Sequence, residues 1–158
     1  MITTNVEMFT DGSCKPNPGP GGWGVILRTK NGVEKELYGG ELLTTNNRME
    51  LMAVIKGLCA LKWNCIVKVY TDSQYVQRGI SQWIYTWKQK NRLSEHAKKP
   101  VANRDLWCAL DSLITKHEIT WIWIRGHNGH IENERVDVLA YNGLKKTIET
   151  QSDFHNSQ

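Results

Sequence analysis

The first third of the chain alternates short apolar runs with turn residues, a pattern typical of antiparallel strands. Residues 6–10, 23–28 and 33–41 are predicted strands. We expect the Gly/Pro-rich segment 15–22 to be a turn, because it suits neither a helix nor a central strand. Asn31-Gly32 is typical of a hairpin turn. These patterns predict a three-stranded antiparallel meander.

Helical periodicity dominates the remainder of the chain, interrupted by two β-branched runs. Strands are predicted at 66–71 and 119–124, and helices at 44–61, 73–79, 80–90, 104–117 and 132–146. Strands joined through helices predict an α/β fold with a mixed sheet covered by helices. A helical crossover should place strand 66–71 parallel to strand 6–10.

The length of 158 residues predicts one domain, which we place at 1–148 with a polar, mobile tail at 149–158. Apolar residues make up 40% and charged residues 23%, as in ordinary globular proteins. No apolar run is long enough to cross a membrane, and no signal peptide is apparent. The cysteines lack CxxC spacing, which favours reduced thiols over a zinc site. These features predict a cytoplasmic protein.

The net charge of +4 is local, because residues 88–99 hold five basic residues and one acidic residue. Such a segment on a neutral body indicates a polyanion partner, although a solvated loop is the alternative. Trp83 and Trp87 precede it at helical spacing. Their rings could stack on a sugar or base, or pack in the core.

Four acidic residues occupy different predicted elements. Asp11 and Asp72 follow strands, whereas Glu50 and Asp137 lie on helices. If they converge, their mutual repulsion requires a cation, and carboxylate oxygens suit Mg²⁺. Each also has a structural alternative: an Asx turn at Asp11, a helix N-cap at Asp72, a capping-box partner of Asn47 at Glu50, or a solvated face at Asp137.

Four carboxylates around two Mg²⁺ ions are sufficient for phosphodiester hydrolysis without a protein nucleophile. The sequence contains neither a Gly-x-Ser-x-Gly elbow nor a Walker lysine loop. His127, between glycines in the segment 125–130, is a candidate proton carrier, or an ordinary histidine in a turn. His130 is interpreted as structural.

Five collinear motifs resemble bacterial ribonuclease HI. They are Phe9–Cys14, Asn17–Gly22, Thr44–Leu51, Thr71–Val76 and Gly126–Arg135. The resemblance, which covers roughly residues 6–142, implies a ribonuclease H-like fold with strand order 3-2-1-4-5. It implies a monomeric endonuclease that cuts the RNA strand of RNA–DNA hybrids with two Mg²⁺ ions, for which Mn²⁺ can substitute. Hydrolysis by this route should leave 5′-phosphate and 3′-hydroxyl ends.

The resemblance also assigns roles to individual residues. The metal-binding catalytic acids are Asp11, Glu50, Asp72 and Asp137, the mobile histidine is His127, and the auxiliary acid is Glu134. The substrate-binding set comprises minor-groove residues Cys14, Asn17, Asn47 and Gln74; DNA-phosphate residues Thr45 and Asn46; DNA-channel residues Trp83 and Trp107; and, in the basic protrusion, Trp87, Lys88, Lys90 and Arg92.

The chain departs from the commonest family pattern at Lys15-Pro16, Leu93, Asn128 and Ile131. Two other functions compete with the nuclease interpretation. A non-catalytic nucleic-acid-binding module of the same fold would keep the basic segment but would not need four acids. A phosphoacceptor signalling domain would place acids at strand ends but would not need the basic segment.

Overall fold

A computed structural model of the chain describes residues 4–62, 64–125 and 130–156, with the backbone alone for 152–156. It contains a five-stranded mixed sheet in the order β3-β2-β1-β4-β5. The strands are β1 Thr4–Cys14, β2 Gly19–Thr29, β3 Glu34–Thr44, β4 Cys65–Thr71 and β5 Glu118–Trp123. β1, β2 and β3 pair antiparallel, whereas β4 is parallel to β1 and to β5. The predicted fold class and strand order are confirmed.

The segment 15–22 differs from its prediction as a turn, because Gly19–Gly22 belong to β2. Pro20 falls at an irregularity in the β2–β3 pairing, where its missing N–H disrupts little of the hydrogen-bond ladder. Gly22 lies against a later helix so closely that a Cβ would overlap the Ala140 carbonyl oxygen. Glycine is therefore needed here for close packing.

The helices are α1 Asn46–Cys59, α2 Gln74–Arg78, α3 Ile84–Gln89, α4 Arg104–Ile114 and α5 Ile131–Asn156. A π-helical turn at Gly79–Trp83 joins α2 to α3. The two helices predicted at 73–79 and 80–90 therefore form one continuous helical segment. Gly79 faces the indole of Trp107, and a Cβ at Gly79 would overlap that ring.

The last helix extends beyond its predicted end at Lys146. The Thr147 hydroxyl donates to the Gly143 carbonyl and the Thr150 hydroxyl to the Lys146 carbonyl, both at 2.9 Å. Both hydroxyls bond to the carbonyl four residues earlier in the same helix. The segment predicted as a tail is thus helical through Asn156, while its mobility and the domain boundary at 148 remain predictions.

The core lies on both faces of the sheet. One side holds the larger cluster, which includes Met8, Val25 and Val67 of the sheet with Leu51 of α1 and Leu110 of α4. On the other side, Phe9 and Ile26 pack against Val136 and Leu139 of α5. Among the described residues, no helix is long and apolar enough to cross a membrane.

Candidate active site

Three of the predicted acids meet at the carboxyl ends of β1 and β4. The parallel register places Phe9 opposite Tyr70, so Asp11 and Asp72, each two positions further on, reach the same end of the sheet. Glu50, in the second turn of α1, points into the same space. The nearest carboxylate oxygens of Asp11, Glu50 and Asp72 all lie within 4.8 Å of one another.

The fourth acid adjoins this cluster from α5. Asp137 is exposed, and its carboxyl group lies within hydrogen-bonding reach of Asp11. The predicted convergence of two strand-end acids and two helical acids is therefore present in the fold.

Burial and mutual repulsion perturb the ionisation of the cluster. The pKa of Asp11 is raised to about 8, mainly by burial and then by the neighbouring acids Asp72 and Asp137. A hydrogen bond from the Gly12 backbone N–H lowers this pKa and so partly opposes the shift. Burial, followed by Asp11 and Asp72, also raises the pKa of Glu50 well above its ordinary value. The protein thus brings carboxylates together at an electrostatic cost.

One carboxylate oxygen has no partner among the described residues: Glu50 Oε2 is buried without a hydrogen bond. Burying such an atom is unfavourable unless something pairs with it. An oxygen-only donor set with surplus negative charge suits a hard divalent cation. The residues present therefore fit Mg²⁺.

The structure excludes several alternative roles for these acids. The N-cap of α1 is Thr45, whose Oγ1 accepts from the Arg48 N–H at 3.1 Å, so Glu50 is not a capping-box partner of Asn47. Ser73 caps α2 by accepting from the Val76 N–H, so Asp72 is not the N-cap. Asp11 lies within β1, opposite Gly24, which excludes a turn.

The predicted minor-groove residues divide into two groups. Asn47 and Gln74 are exposed. Cys14, by contrast, is buried, and its Sγ lies 3.3 Å from the Pro16 carbonyl and 3.4 Å from those of Gly19 and Thr44. The expectation of a direct substrate contact by Cys14 is therefore corrected, because its thiol binds the protein's own loop.

Asn17 and the start of α1 are linked directly. The Asn17 side-chain Oδ1 accepts a hydrogen bond from the Asn46 backbone N–H at 3.2 Å. The loop between β1 and β2 is thereby held against Thr45 and Asn46, the residues predicted to bind a DNA phosphate.

The aromatic residues form a cluster with different exposures. Trp83 and Trp87 are half-buried, with ring centroids 5.9 Å apart. Trp107 is fully buried at 0% exposure and lies beneath Trp87. The expectation that Trp107 contacts DNA is therefore corrected, since this residue supports the surface from within.

Two side chains of the basic segment already have partners within the protein, one of them charged. Lys88 Nζ pairs with Asp111 at 2.7 Å, and Arg92 Nε donates to the Lys99 carbonyl at 3.0 Å. Lys90 is exposed. A surface cavity of about 450 Å³ is lined by Lys90, Asn91, Arg92, His96, Lys98 and Lys99, a composition that favours anionic ligands.

The structure describes Glu134 but not His127. Glu134 is exposed in the first turn of α5, three residues before Asp137. His127 lies outside the residues that the structure describes, so its role stays a prediction.

Sequence reasoning missed a polar network beside the site, formed by Arg48, Tyr75 and Asn103. Asn103 donates to the Tyr75 hydroxyl oxygen at 3.1 Å and accepts from Arg48 Nη1 at 3.3 Å. The sequence does contain one signal of this network, because Arg48 lies in the first turn of a predicted helix. A cation there interacts unfavourably with the helix dipole, which favours pairing with acidic side chains. Arg48 finds them in Asp105 at 2.8 Å and Glu41 at 3.1 Å.

Comparison with known proteins places this geometry in context. The family described as RNase H matches residues 3–145. A Ribonuclease H from Methylobacillus flagellatus is 54% identical over 148 residues, covering 94% of this chain and 97% of that protein. One from Hydrogenovibrio crunogenus is 63% identical over 135 residues, covering 85% and 92%.

Solved structures show the same architecture. LC9-RNase H1, described as a type 1 RNase H with the type 2 active-site motif, superposes with a TM-score of 0.81 at 29% identity, covering 93% of this chain and 75% of that one. LC11-RNase H1, solved in complex with an RNA/DNA hybrid, gives a TM-score of 0.69 at 23% identity, covering 90% and 99%. At that identity the second likeness supports the fold alone.

Proposed function

Because the chain belongs to the ribonuclease H family, we propose that it hydrolyses the RNA strand of RNA–DNA hybrids with two divalent cations. The observation that carries this proposal is the meeting of Asp11, Glu50 and Asp72 within 4.8 Å. A protein that only bound nucleic acid would gain nothing from crowding three carboxylates at this electrostatic cost.

The four acids would hold the cations. Asp11, Glu50 and Asp72 supply the clustered oxygens, and Asp137 adds a carboxylate from the exposed side. Mg²⁺ suits this donor set, and Mn²⁺ also accepts carboxylate ligands. When bound, two such ions activate the attacking water and stabilise the leaving oxygen.

The protein's own groups prepare the site for that chemistry. Glu50 is buried and Asp137 is exposed, so in this proposal a phosphodiester approaches the cluster from the side of Asp137. The Gly12 N–H stabilises the charged forms of Asp11 and Glu50. In this proposal His127 moves a proton at the scissile phosphate, with Glu134 as an auxiliary acid.

Recognition of a hybrid requires contacts to both strands. Asn47 and Gln74, exposed beside Glu50 and Asp72, can bond to 2′-hydroxyls, which DNA lacks. Thr45 and Asn46 present the amino-terminal end of α1, which suits a phosphate of the DNA strand. Trp83, Trp87 and the basic segment extend the DNA-strand surface. Cys14 and Asn17 fix the loop between these contacts.

We also propose that the protein acts as a cytoplasmic monomer. None of the four cysteines, all within the described residues, forms a disulfide, which favours a reducing compartment.

A panel of end-labelled duplexes tests the proposed function. With Mg²⁺ we expect cleavage of an RNA–DNA hybrid, and of DNA carrying four consecutive ribonucleotides. Duplex DNA, duplex RNA and single-stranded RNA should survive, and EDTA should stop the reaction. Phosphatase and ligase treatment should reveal 5′-phosphate and 3′-hydroxyl ends. Equal cutting of duplex RNA, or 2′,3′-cyclic ends, would contradict the proposal.

Asp72→Asn separates catalysis from binding, since it removes a metal-binding charge and keeps the shape. Cleavage should disappear while hybrid affinity stays largely intact. Glu118→Gln at the start of β5 is the matched control and should retain activity, because Glu118 is exposed at the end of the sheet opposite the acids. Retention of more than about a tenth of wild-type activity in Asp72→Asn would exclude the metal role.

A further inference from the structure

Tyr75 lies three residues after Asp72 but serves a different part of the molecule. Its hydroxyl oxygen accepts hydrogen bonds from Asn103 Nδ2 at 3.1 Å and from Trp107 Nε1 at 2.9 Å. Two donors occupy both lone pairs of a phenolic oxygen. Tyr75 therefore ties α2 to α4 and to the residue that precedes α4.

Asn103 continues this connection toward α1. Its backbone is left-handed, with φ of 57°, immediately before Arg104. Its Oδ1 accepts from Arg48 Nη1 at 3.3 Å, and the Arg48 backbone N–H donates to Thr45 Oγ1 at 3.1 Å. A continuous path of hydrogen bonds thus runs from Tyr75 to the amino-terminal end of α1.

The Tyr75 ring forms a second connection, toward the aromatic surface. It packs edge-on against Trp83 at 5.7 Å and against Trp107 at 5.5 Å. Trp107 in turn supports Trp87 at 5.3 Å. Edge-to-face contacts at these distances fix relative ring orientation. One side chain therefore holds both Trp83 and the start of α1.

We propose that Tyr75 is a positioning residue for the DNA strand. It sets the spacing between the Thr45–Asn46 end of α1 and Trp83, so that both surfaces can engage one strand at once. The inference rests on the proposed function, because the surfaces are those expected to contact DNA. Tyr75 contacts Trp83 directly and reaches α1 through Asn103 and Arg48, and its hydroxyl bonds to Asn103 and Trp107 rather than to the carboxylate cluster. Its removal should therefore weaken binding more than chemistry.

Tyr75→Phe tests this role with a small change in volume. Removing two hydrogen bonds should raise KM for the hybrid by roughly 5-fold or more, with kcat changed by less than about 2-fold. Tyr85→Phe on α3 is the matched control, because Tyr85 is 62% exposed, and it should leave both constants unchanged. An unchanged KM in Tyr75→Phe, or an equal fall in kcat, overturns the inference.

Asn103→Gly supplies an independent variant that tolerates the left-handed backbone while deleting the amide. If the hydrogen bonds act as one unit, Asn103→Gly should raise KM about as much as Tyr75→Phe does. The KM of the double variant should then not exceed the higher KM of the two single variants. Additive effects in the double variant overturn the shared path. Because Asn103→Gly leaves the Tyr75 side chain intact, the path can still be tested if Tyr75→Phe folds poorly.

Hybrids that carry a single neutral methylphosphonate in the DNA strand test whether Tyr75 acts on the binding of that strand. Neutralising the DNA phosphate that binds Thr45 and Asn46 should cost wild-type protein affinity but cost Tyr75→Phe clearly less. An equal penalty in both proteins would show that Tyr75 acts only on stability. Failure of the wild-type protein to cut the unmodified hybrid would instead contradict the proposed function, so the two failures are distinguishable.

Discussion

Gly12 of β1 and Glu50 of α1 approach so closely that a Cβ on Gly12 would overlap the backbone nitrogen of Glu50. The contact sets how near α1 can lie to β1 and therefore how near Glu50 can lie to Asp11. The same glycine contributes the backbone N–H that stabilises the charged forms of both acids. A residue without a side chain thus determines the spacing of two catalytic candidates.

Gly12→Ala should therefore damage the site as well as the fold. The added methyl group meets backbone atoms, which cannot rotate away, so we expect a destabilisation of about 1–3 kcal/mol and a large decrease in Mg²⁺-dependent cleavage. Thermal unfolding and cleavage assays measure the two effects. Gly32→Asn is the control, because Gly32 has φ of 85° with nothing near its Cβ position, and Asn tolerates that conformation. Full activity in Gly12→Ala would show that the contact is not needed.

Metal-free protein should lose stability as pH rises. Burial and neighbouring acids raise the pKa of Asp11 from 3.8 to about 8, so the folded state holds a proton that the unfolded chain releases. The free energy of unfolding should fall between about pH 4 and pH 8, by at most about 1.4 kcal/mol per pH unit for this proton. Chemical denaturation in EDTA across this range measures the slope.

Asp11→Asn provides the comparison for that titration. It should flatten the slope and raise the melting temperature of metal-free protein at pH 8, while abolishing cleavage. Mg²⁺ should stabilise the wild-type protein more than the variant. A wild-type slope of opposite sign would show that burial and the neighbouring acids do not raise the pKa of Asp11.

His127→Ala should be slower but still active. Removal of a proton carrier costs about 10²–10⁴-fold, and the effect should fall on kcat rather than KM. His130→Ala is the matched control, because His130 is exposed and lines a separate cavity with Glu7, Arg28 and Glu132. Equal kcat values for His127→Ala and the wild-type protein would leave His127 as an ordinary turn residue.

The basic segment should act by binding phosphates. Neutralising Lys88, Lys90 and Arg92 together should raise KM and flatten its salt dependence, with kcat barely changed. The log–log salt slope should shrink by about 0.9 for each duplex phosphate that the variant no longer binds. An unchanged salt slope would show that the basic segment is a solvated loop that does not bind phosphates.

Single variants refine this prediction. Lys90→Gln should have a larger effect than Lys88→Gln, because Lys88 is already paired with Asp111. Lys30→Gln serves as the control. Lys30 follows Thr29, which pairs with Val6 at the end of the sheet opposite the acids.

Local patterns predicted much of the fold. Apolar periodicity located five strands and the main helices, and the crossover rule correctly placed strand 66–71 parallel to strand 6–10. The family resemblance is confirmed by the match over residues 3–145. These predictions are correct because each depends on residues that are close in sequence or on a rule of chain topology.

The errors arose where distant parts of the chain meet. Gly19–Gly22 resemble a turn locally but become strand because they pair with β1 and with β3, the latter distant in sequence. The family resemblance assigned Trp107 to the DNA channel, yet Tyr75 and Gly79 enclose this side chain. The contact of the Cys14 thiol with the Thr44 carbonyl likewise joins parts of the chain 30 residues apart.

The position of Asp137 on α5 has a consequence for synthesis of the protein. The sheet and α1 can form before α5 is made, but the fourth carboxylate arrives on the last element of the fold. A nascent chain ending before Ile131 thus holds three of the four acids and lacks the helix that covers Phe9 and Ile26. Under the proposed mechanism, nuclease activity begins only once α5 has been synthesised and has folded onto the sheet.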